Sequence, residues 1–310
     1  MDESALRAVF VDANPALAEV ADKHLRLRGV RFTINRDPNV RSEALPAALA
    51  GAHIALIDQT HVPARIAREC TGLRHIVFLG TGARSYMNPE ALAELGITVH
   101  TIKGYGDTAV AECAIALMWA SARGFARMDR EMRAGNWLRT DALQLTGRTL
   151  GLIGFGGIAR EVARLASGSG MKVLAWNRTA RTYPGVSFVP LAQLLADSDV
   201  VSLHLMLNDE TKNFLSRERI AAMRPGAILI NTARGALVDE DAMIGALRSG
   251  HLRHAGLDVF ATEPLPAGHP LTTLPDVTLS AHSAFRTAEA NYNLINAALE
   301  HCRRIVEDAR

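Results

Sequence analysis

TLGLIGFGGIAREVA, residues 149–163, runs from an apolar stretch into a helical pattern through a glycine-rich turn. Within it, Gly154-Phe155-Gly156-Gly157-Ile158-Ala159 fits G-x-G-x-x-G/A. At a strand-to-helix turn the first glycine permits a tight reversal, and the second lets a pyrophosphate approach the backbone. Ala159 in the last position lets helix and strand pack closely, while the amino end of the helix faces the phosphates. The motif alone is weak, because glycine-rich turns are common. Its setting gives it weight: a strand precedes it, a helix follows, and a second strand, KVLAWN (172–177), ends about the expected distance downstream. A dinucleotide site is therefore expected at Gly154, Phe155, Gly156, Gly157 and Ile158.

Working outward, short apolar runs rich in β-branched residues alternate with longer helical patterns. AVFVDA, HIALIDQ, HIVFLG and ITVHT fall in residues 8–101, and TLGLIGF, KVLAWN, VVSLHL, AILINTA, AGLDVF and VTLSAH in residues 149–282. Runs that are apolar on both faces suit parallel strands covered by helices. The pattern predicts an α/β fold with two doubly wound parallel sheets. Between the two series lies DTAVAECAIALMWASARGFARMDREMRAGNW, with Asp107 or Thr108 as cap and Glu112 in the first turns. Its early part is apolar nearly all round, which predicts burial between domains or subunits. Arg123, Arg127 and Arg130 then fall at helical spacing, as on a solvated or interface face. A final helix spans about 287–307 and is expected to fold back onto the first domain.

Composition narrows the class. The 310 residues are 48% hydrophobic and 21% charged, enough for one large core or two modest ones. With 34 basic and 32 acidic residues the formal net charge is +2, which argues against a nucleic-acid surface. Cys70, Cys113 and Cys302 are far apart, which fits a reducing compartment and offers no zinc site. His251 and His254 in HLRH have no accompanying ligand pair and read as a helix-to-strand connection. Neither a signal peptide nor a membrane-spanning run is legible, so a cytoplasmic location is expected.

At the end of KVLAWN, a carboxylate would accept hydrogen bonds from a ribose 2′-hydroxyl and select NAD. The chain has Asn177, Arg178, Thr179 and Arg181 there instead. Asn177 removes the repulsion that a 2′-phosphate would meet, and Arg178 can answer the phosphate with charge-assisted hydrogen bonds. NADP is favoured, with NAD possible. Ordinary turn residues on a solvated loop are the alternative.

Three polar residues stand at or just beyond later strand ends, where open α/β sheets place ligands. Arg234 follows ILINTA, Glu263 follows LDVFAT, and His282 ends VTLSAH. Arg234 can clamp a substrate carboxylate and polarise a keto oxygen. His282 can give that oxygen a proton, and Glu263 can orient the imidazole and favour its charged form. The set suffices for reduction of a 2-keto acid or, in reverse, oxidation of a 2-hydroxy acid. Each residue taken singly has a structural alternative; the conjunction points to catalysis.

That conjunction resembles the D-isomer-specific 2-hydroxyacid dehydrogenase family over essentially the whole chain. The matching stretches are GTG (80–82), AVAE (109–112), the glycine-rich loop, MRPGAILINTARGALVDEDAMIGAL (223–247), AGLDVFATEPLP (255–266) and LSAHSAFRT (279–287). The resemblance implies that Arg234, Glu263 and His282 carry the roles above. It also implies that backbone N–H groups of Thr81 and Gly82 receive the substrate carboxylate. Asp258 would face the nicotinamide carboxamide, and the backbone at Thr232 and Ala233 would line its ribose. Family architecture implies a flavodoxin-like substrate domain, residues 1–102 plus 283–310, and a Rossmann cofactor domain, residues 103–282. Catalysis would lie in the cleft between them. A homodimer joined through cofactor domains is implied as well, and would account for the apolar helix near residues 108–120.

The expected activity is NADPH-preferring reduction of a small 2-keto acid, glyoxylate or hydroxypyruvate, to a D-2-hydroxy acid. A phosphoglycerate dehydrogenase-like enzyme is the nearest rival. Phosphite oxidation and a non-catalytic dinucleotide-sensing corepressor are remoter. Three positions depart from the family pattern. Arg84 replaces a frequent aspartate, Met206 in HLMLNDET replaces a usual proline, and Arg286 stands where small residues are more familiar. Arg84 or Arg286 receiving a second anionic group on the substrate is one reading; a surface salt bridge or loop anchor is the other.

Overall fold

The computed structural model describes residues 5–179 and 181–308. The chain divides into two compact units, Met1–Gly106 with Arg286–Arg310, and Asp107–Phe285. Both breaks lie a few residues beyond those the family architecture implies.

The first unit holds five parallel strands: β1 (Leu6–Phe10), β2 (Val30–Ile34), β3 (Ile54–Ile57), β4 (His75–Phe78) and β5 (Thr98–Thr101). Their order, β2-β1-β3-β4-β5, is that of the flavodoxin-like doubly wound sheet. Every residue of β3 is buried, as befits a central strand covered on both faces. Successive side chains point to opposite faces, so Ala55 and Ile57 join one core while Ile54 and Leu56 join the other. The helix Ala288–Asp308 buries Leu294, Ile295, Ala298 and Cys302 in that second core. The fully buried Asp12 carboxylate organises the loop after β3 by accepting the N–H groups of Asp58, Gln59 and Thr60 and the Thr60 hydroxyl.

Seven parallel strands form the second unit: β6 (Thr149–Ile153), β7 (Lys172–Trp176), β8 (Val186–Phe188), β9 (Val200–Leu203), β10 (Ala227–Asn231), β11 (Leu252–Leu257) and β12 (Val277–Leu279). The order β12-β11-β10-β9-β6-β7-β8 places the topological switch between β6 and β9. Ligands of such sheets bind at the carboxyl ends beside that switch.

Two strands escape a reading by apolar runs. β2 alternates between half-buried and exposed at one edge of its sheet, and β8 has three residues at the edge of the other. The long helical stretch also differs from the single pattern expected. It divides into Asp107–Arg123 and Phe125–Arg133, bent by 64°. Gly124 makes the break in the left-handed region (φ 65°), where glycine carries no steric penalty. The bend takes Arg123 off any common stripe with Arg127 and Arg130. Arg127 instead pairs with Asp276 at 3.5 Å, and Arg130 donates to the Pro275 carbonyl. The first of these helices buries Ala111, Ala114, Leu117 and Met118 in its own unit's core. No single helix among the described residues is long and apolar enough to cross a membrane.

Candidate active site

The glycine-rich turn follows β6 at the switch point. Gly154 has φ +89°, and a Cβ there would lie 2.6 Å from the His204 carbonyl oxygen, so neither the backbone conformation nor the space admits a side chain. A Cβ on Gly156 would meet nothing within 4 Å. Gly156 also caps the Gly157–Gly168 helix without a side-chain hydrogen bond, leaving that helix's first N–H groups to an outside acceptor. Ala159 is fully buried, allowing the close packing the motif predicts. Phe155 is buried edge-on to Tyr183 and Phe188, which holds the turn down. Ile158 is half-buried on the first turn. A further sign comes from the end of β10, where the buried Thr232 hydroxyl has no hydrogen-bond partner among the described residues. An open cradle, an uncapped helix start and an orphaned hydroxyl together fit a nicotinamide dinucleotide.

The loop after β7 is held by Asn177. Its side-chain oxygen accepts the Phe155 N–H at 3.1 Å, and its amide donates to the Thr179 carbonyl and hydroxyl. Asn177 thus ties the glycine-rich turn to the loop after β7. Arg178, 79% exposed, pairs with Glu210 at 2.7 Å, itself 74% exposed and carried by the loop after β9. Thr179 and Arg181 are exposed.

β10, β11 and β12 are neighbours, so their carboxyl ends bring Arg234, Glu263 and His282 to one rim. His282 Nδ1 lies 2.6 Å from Glu263 Oε2, and each side chain is about one-third exposed. Glu263 Oε1 accepts the Phe260 N–H at 2.9 Å, which fixes the carboxylate. Burial alone would raise the Glu263 pKa. The His282 hydrogen bond, the Phe260 N–H and the charges of His282 and Arg234 outweigh it and hold the carboxyl below its ordinary range. With Nδ1–H donated to Glu263, Nε2 is the nitrogen left to exchange a proton with a ligand. The Arg234 loop is anchored by Asn231, whose amide donates to the Arg234 carbonyl while its oxygen accepts the Ala233 N–H. A Cβ on Gly235 would sit 1.9 Å from the Phe260 carbonyl carbon, so glycine there lets the Arg234 loop lie directly on the Glu263 loop.

Asp258 has a structural role that residue spacing did not show. It is fully buried, and its carboxylate accepts the Ser280 hydroxyl at 2.6 Å and the Ser283 and Ala284 N–H groups at 2.9 Å. Its carbonyl also accepts the His282 N–H at 2.8 Å. These bonds clamp the chain on both sides of His282. That clamp holds His282 at φ +46°, a left-handed conformation that a non-glycine residue adopts only when its surroundings impose it.

In the first unit, Thr81 and Gly82 follow β4 and lead into a short 3-10 turn, Ala83–Ser85. Among the described residues nothing accepts the N–H of either, so both remain available to an anion. Arg84 points elsewhere: it forms an exposed ion pair with Glu90. Arg286 is exposed and adds a favourable charge near Asp58.

Several structurally decisive residues were absent from the sequence reading: Asn231, Gly235, Ser280 and Glu210. For Asn231 and Ser280 a signal existed, a polar residue ending an apolar strand run. Gly235 and Glu210 gave none, because their partners lie 25 and 32 residues away.

Residues 115–284 match the D-isomer specific 2-hydroxyacid dehydrogenase, NAD binding domain. A glycerate dehydrogenase of Methylorubrum extorquens is 34% identical over 274 residues, covering 85% of this chain and 86% of that one. A hydroxypyruvate reductase of Thermotoga maritima is 38% identical over 237 residues, covering 74% and 77%. A solved structure of an acyclic imino acid reductase, in complex with NADPH and D-Arg, aligns with a TM-score of 0.85 at 26% identity over 98% of each chain. The switch-point cradle, the rim of arginine, glutamate and histidine, and these likenesses agree: the chain belongs to the D-isomer-specific 2-hydroxyacid dehydrogenase family.

Proposed function

We propose that this protein reduces small 2-keto acids, glyoxylate and hydroxypyruvate foremost, to D-2-hydroxy acids with a preference for NADPH. The observation that carries the reading is the 2.6 Å contact between His282 Nδ1 and Glu263 Oε2 on the rim shared with Arg234. Arg234 binds the substrate carboxylate, and His282 donates a proton to the keto oxygen from Nε2. Glu263 stabilises the imidazolium through Nδ1. A bound nicotinamide dinucleotide supplies the hydride. Thr81 and Gly82 offer N–H groups to a substrate anion, and Thr232, Ala233 and the glycine-rich turn receive the cofactor.

The NADPH preference draws on Asn177, Arg178 and Thr179. No carboxylate follows β7, and Arg178 is exposed, its counter-ion Glu210 exchangeable for a phosphate. Names borne by the relatives favour hydroxypyruvate and glyceric acid as a substrate pair. The test is initial-rate oxidation of NADPH and NADH with glyoxylate, hydroxypyruvate and bulkier 2-keto acids. Turnover many times faster with NADPH supports the full reading. Equal rates or an NADH preference would remove the cofactor preference, and silence with every acid would remove the activity.

A homodimer is proposed alongside. The helix Phe125–Arg133 buries no residue, and Phe125, Met132 and Trp137 are 53%, 51% and 76% exposed, an apolar set that a second copy would cover. Sedimentation equilibrium should give a dimer for the natural protein and a weakened one for Trp137→Ala. A monomer at micromolar concentration would refute the proposal.

A further inference from the structure

Gly157 opens the Gly157–Gly168 helix without a side chain, yet the space a side chain would take is filled. A Cβ built there would lie 1.8 Å from Oδ2 and 2.8 Å from Cγ of Asp107. Gly156 one residue earlier faces open space. Asp107 is itself the first residue of the Asp107–Arg123 helix, so a single carboxylate stands at the start of two helices, both more than eight residues long. Helix starts carry unpaired N–H groups and the positive end of the helix dipole, and both attract anions. Among the described residues no group donates a hydrogen bond to this carboxylate. Burial, and then the charge of Glu161, raise its pKa, while Arg160 lowers it.

The proposed function brings a second anion to the same place, because the pyrophosphate common to NADPH and NADH comes to the start of the Gly157–Gly168 helix. We propose that Asp107 is an affinity-setting residue of the dinucleotide site: its carboxylate sits beside the pyrophosphate and weakens the binding of every dinucleotide alike. The inference rests on the cofactor reading, not on the preference between the two nucleotides. A like charge at the cradle favours release of spent cofactor, a step that limits turnover in many enzymes.

The test uses the full chain and measures dissociation constants for NADPH and NADH by titration without substrate, in the natural protein and in Asp107→Asn, which removes the charge and keeps the shape. Both nucleotides are expected to bind about three- to tenfold more tightly to the variant at low salt, with the gain shrinking as salt rises. A merely structural role would not produce a gain. An equal gain in a protein that prefers NADH would support the inference while removing the proposed preference. Unchanged or weaker binding to a folded variant would overturn it. So would a gain confined to NADPH, which would locate the effect at the 2′-phosphate. Should Asp107→Asn fail to fold, Asp107→Ser serves with the same expectations. A folded natural protein that binds neither nucleotide would remove the cofactor reading and this inference together.

Discussion

The rim at the ends of β10–β12 and the loop after β7 both present arginine to a ligand, but they are built in opposite ways. At the rim almost every polar atom is already committed: Asp258 clamps both sides of His282, Glu263 accepts from Phe260 and contacts His282, and Asn231 braces the Arg234 loop. At the loop, Arg178 reaches into solvent and holds one exposed carboxylate. A network whose members fix one another, with the buried Asp258 at its base, has little freedom to rearrange. An exposed ion pair contributes about 0–1 kcal/mol and exchanges partners readily. The comparison teaches where all-or-none behaviour and graded selectivity should be found in the molecule.

The strongest way to break that contrast is His282→Ala. Loss of a positioned general acid is expected to lower kcat by roughly 10²–10⁴-fold with NADPH affinity little changed. Stopped-flow turnover beside nucleotide titration checks it, and near-normal turnover would mean that His282 is not the proton donor. Asp258→Ala comes next. It strips the acceptor from the Ser280 hydroxyl and from two backbone N–H groups, and should cost about 2–4 kcal/mol of stability. Activity should fall as well, because His282 would leave its left-handed conformation. Calorimetry and kcat measured together check this, and a stable, fully active variant would show that the clamp does not position His282.

Smaller effects are expected at the exposed loop. Arg178→Ala should lower the NADPH-to-NADH ratio of kcat/KM by up to about tenfold, with kcat nearly unchanged. No change in that ratio would make Arg178 an ordinary surface residue.

The smallest effect concerns two histidines away from both regions, the buried His254 and the half-buried His100. Burial holds His254 and His100 at about 4, below the ordinary 6.5, with the charges of His301 and His75 adding to the effect at His100. Both are neutral in the folded protein over a range where the unfolded chain takes up protons. Their contribution is therefore present above about 6.5 and is lost as pH falls toward 4. Asp58 acts in the opposite sense. Burial and then the charge of Asp12 raise it to about 7, so its contribution is lost as pH rises through that range and offsets part of the change. With more histidines than carboxyls involved, Tm should drop by a few degrees per kcal/mol lost between pH 6.5 and 4. His254→Gln should flatten the slope, and an unaltered slope would exclude His254 as a source.

Much of the architecture was legible because buried parallel strands are apolar on both faces. β3, β9 and β10 are buried at every position and read as uninterrupted runs. The edge strands β2 and β8 were not legible, since a strand with one neighbour and a wet face needs no such run. The bend at Gly124 was hidden for a different reason. A glycine inside a helical pattern is tolerated often enough that only its surroundings decide whether the helix continues.

What the sequence determined by itself was the chemistry: a glycine turn after a strand, no carboxylate after β7, and arginine, glutamate and histidine at three strand ends. Those follow from residue type and spacing, which local physics constrains. What only the tertiary structure decided was the use of each group. It turned Asp258 inward to hold His282, paired Arg178 with Glu210 and Arg84 with Glu90, and set the Asp107 carboxylate against Gly157. The physical reason is that a hydrogen bond or an ion pair depends on distance in space. Partners such as Arg178 and Glu210, or Asp107 and Gly157, are distant along the chain and meet only when the sheet and its helices close.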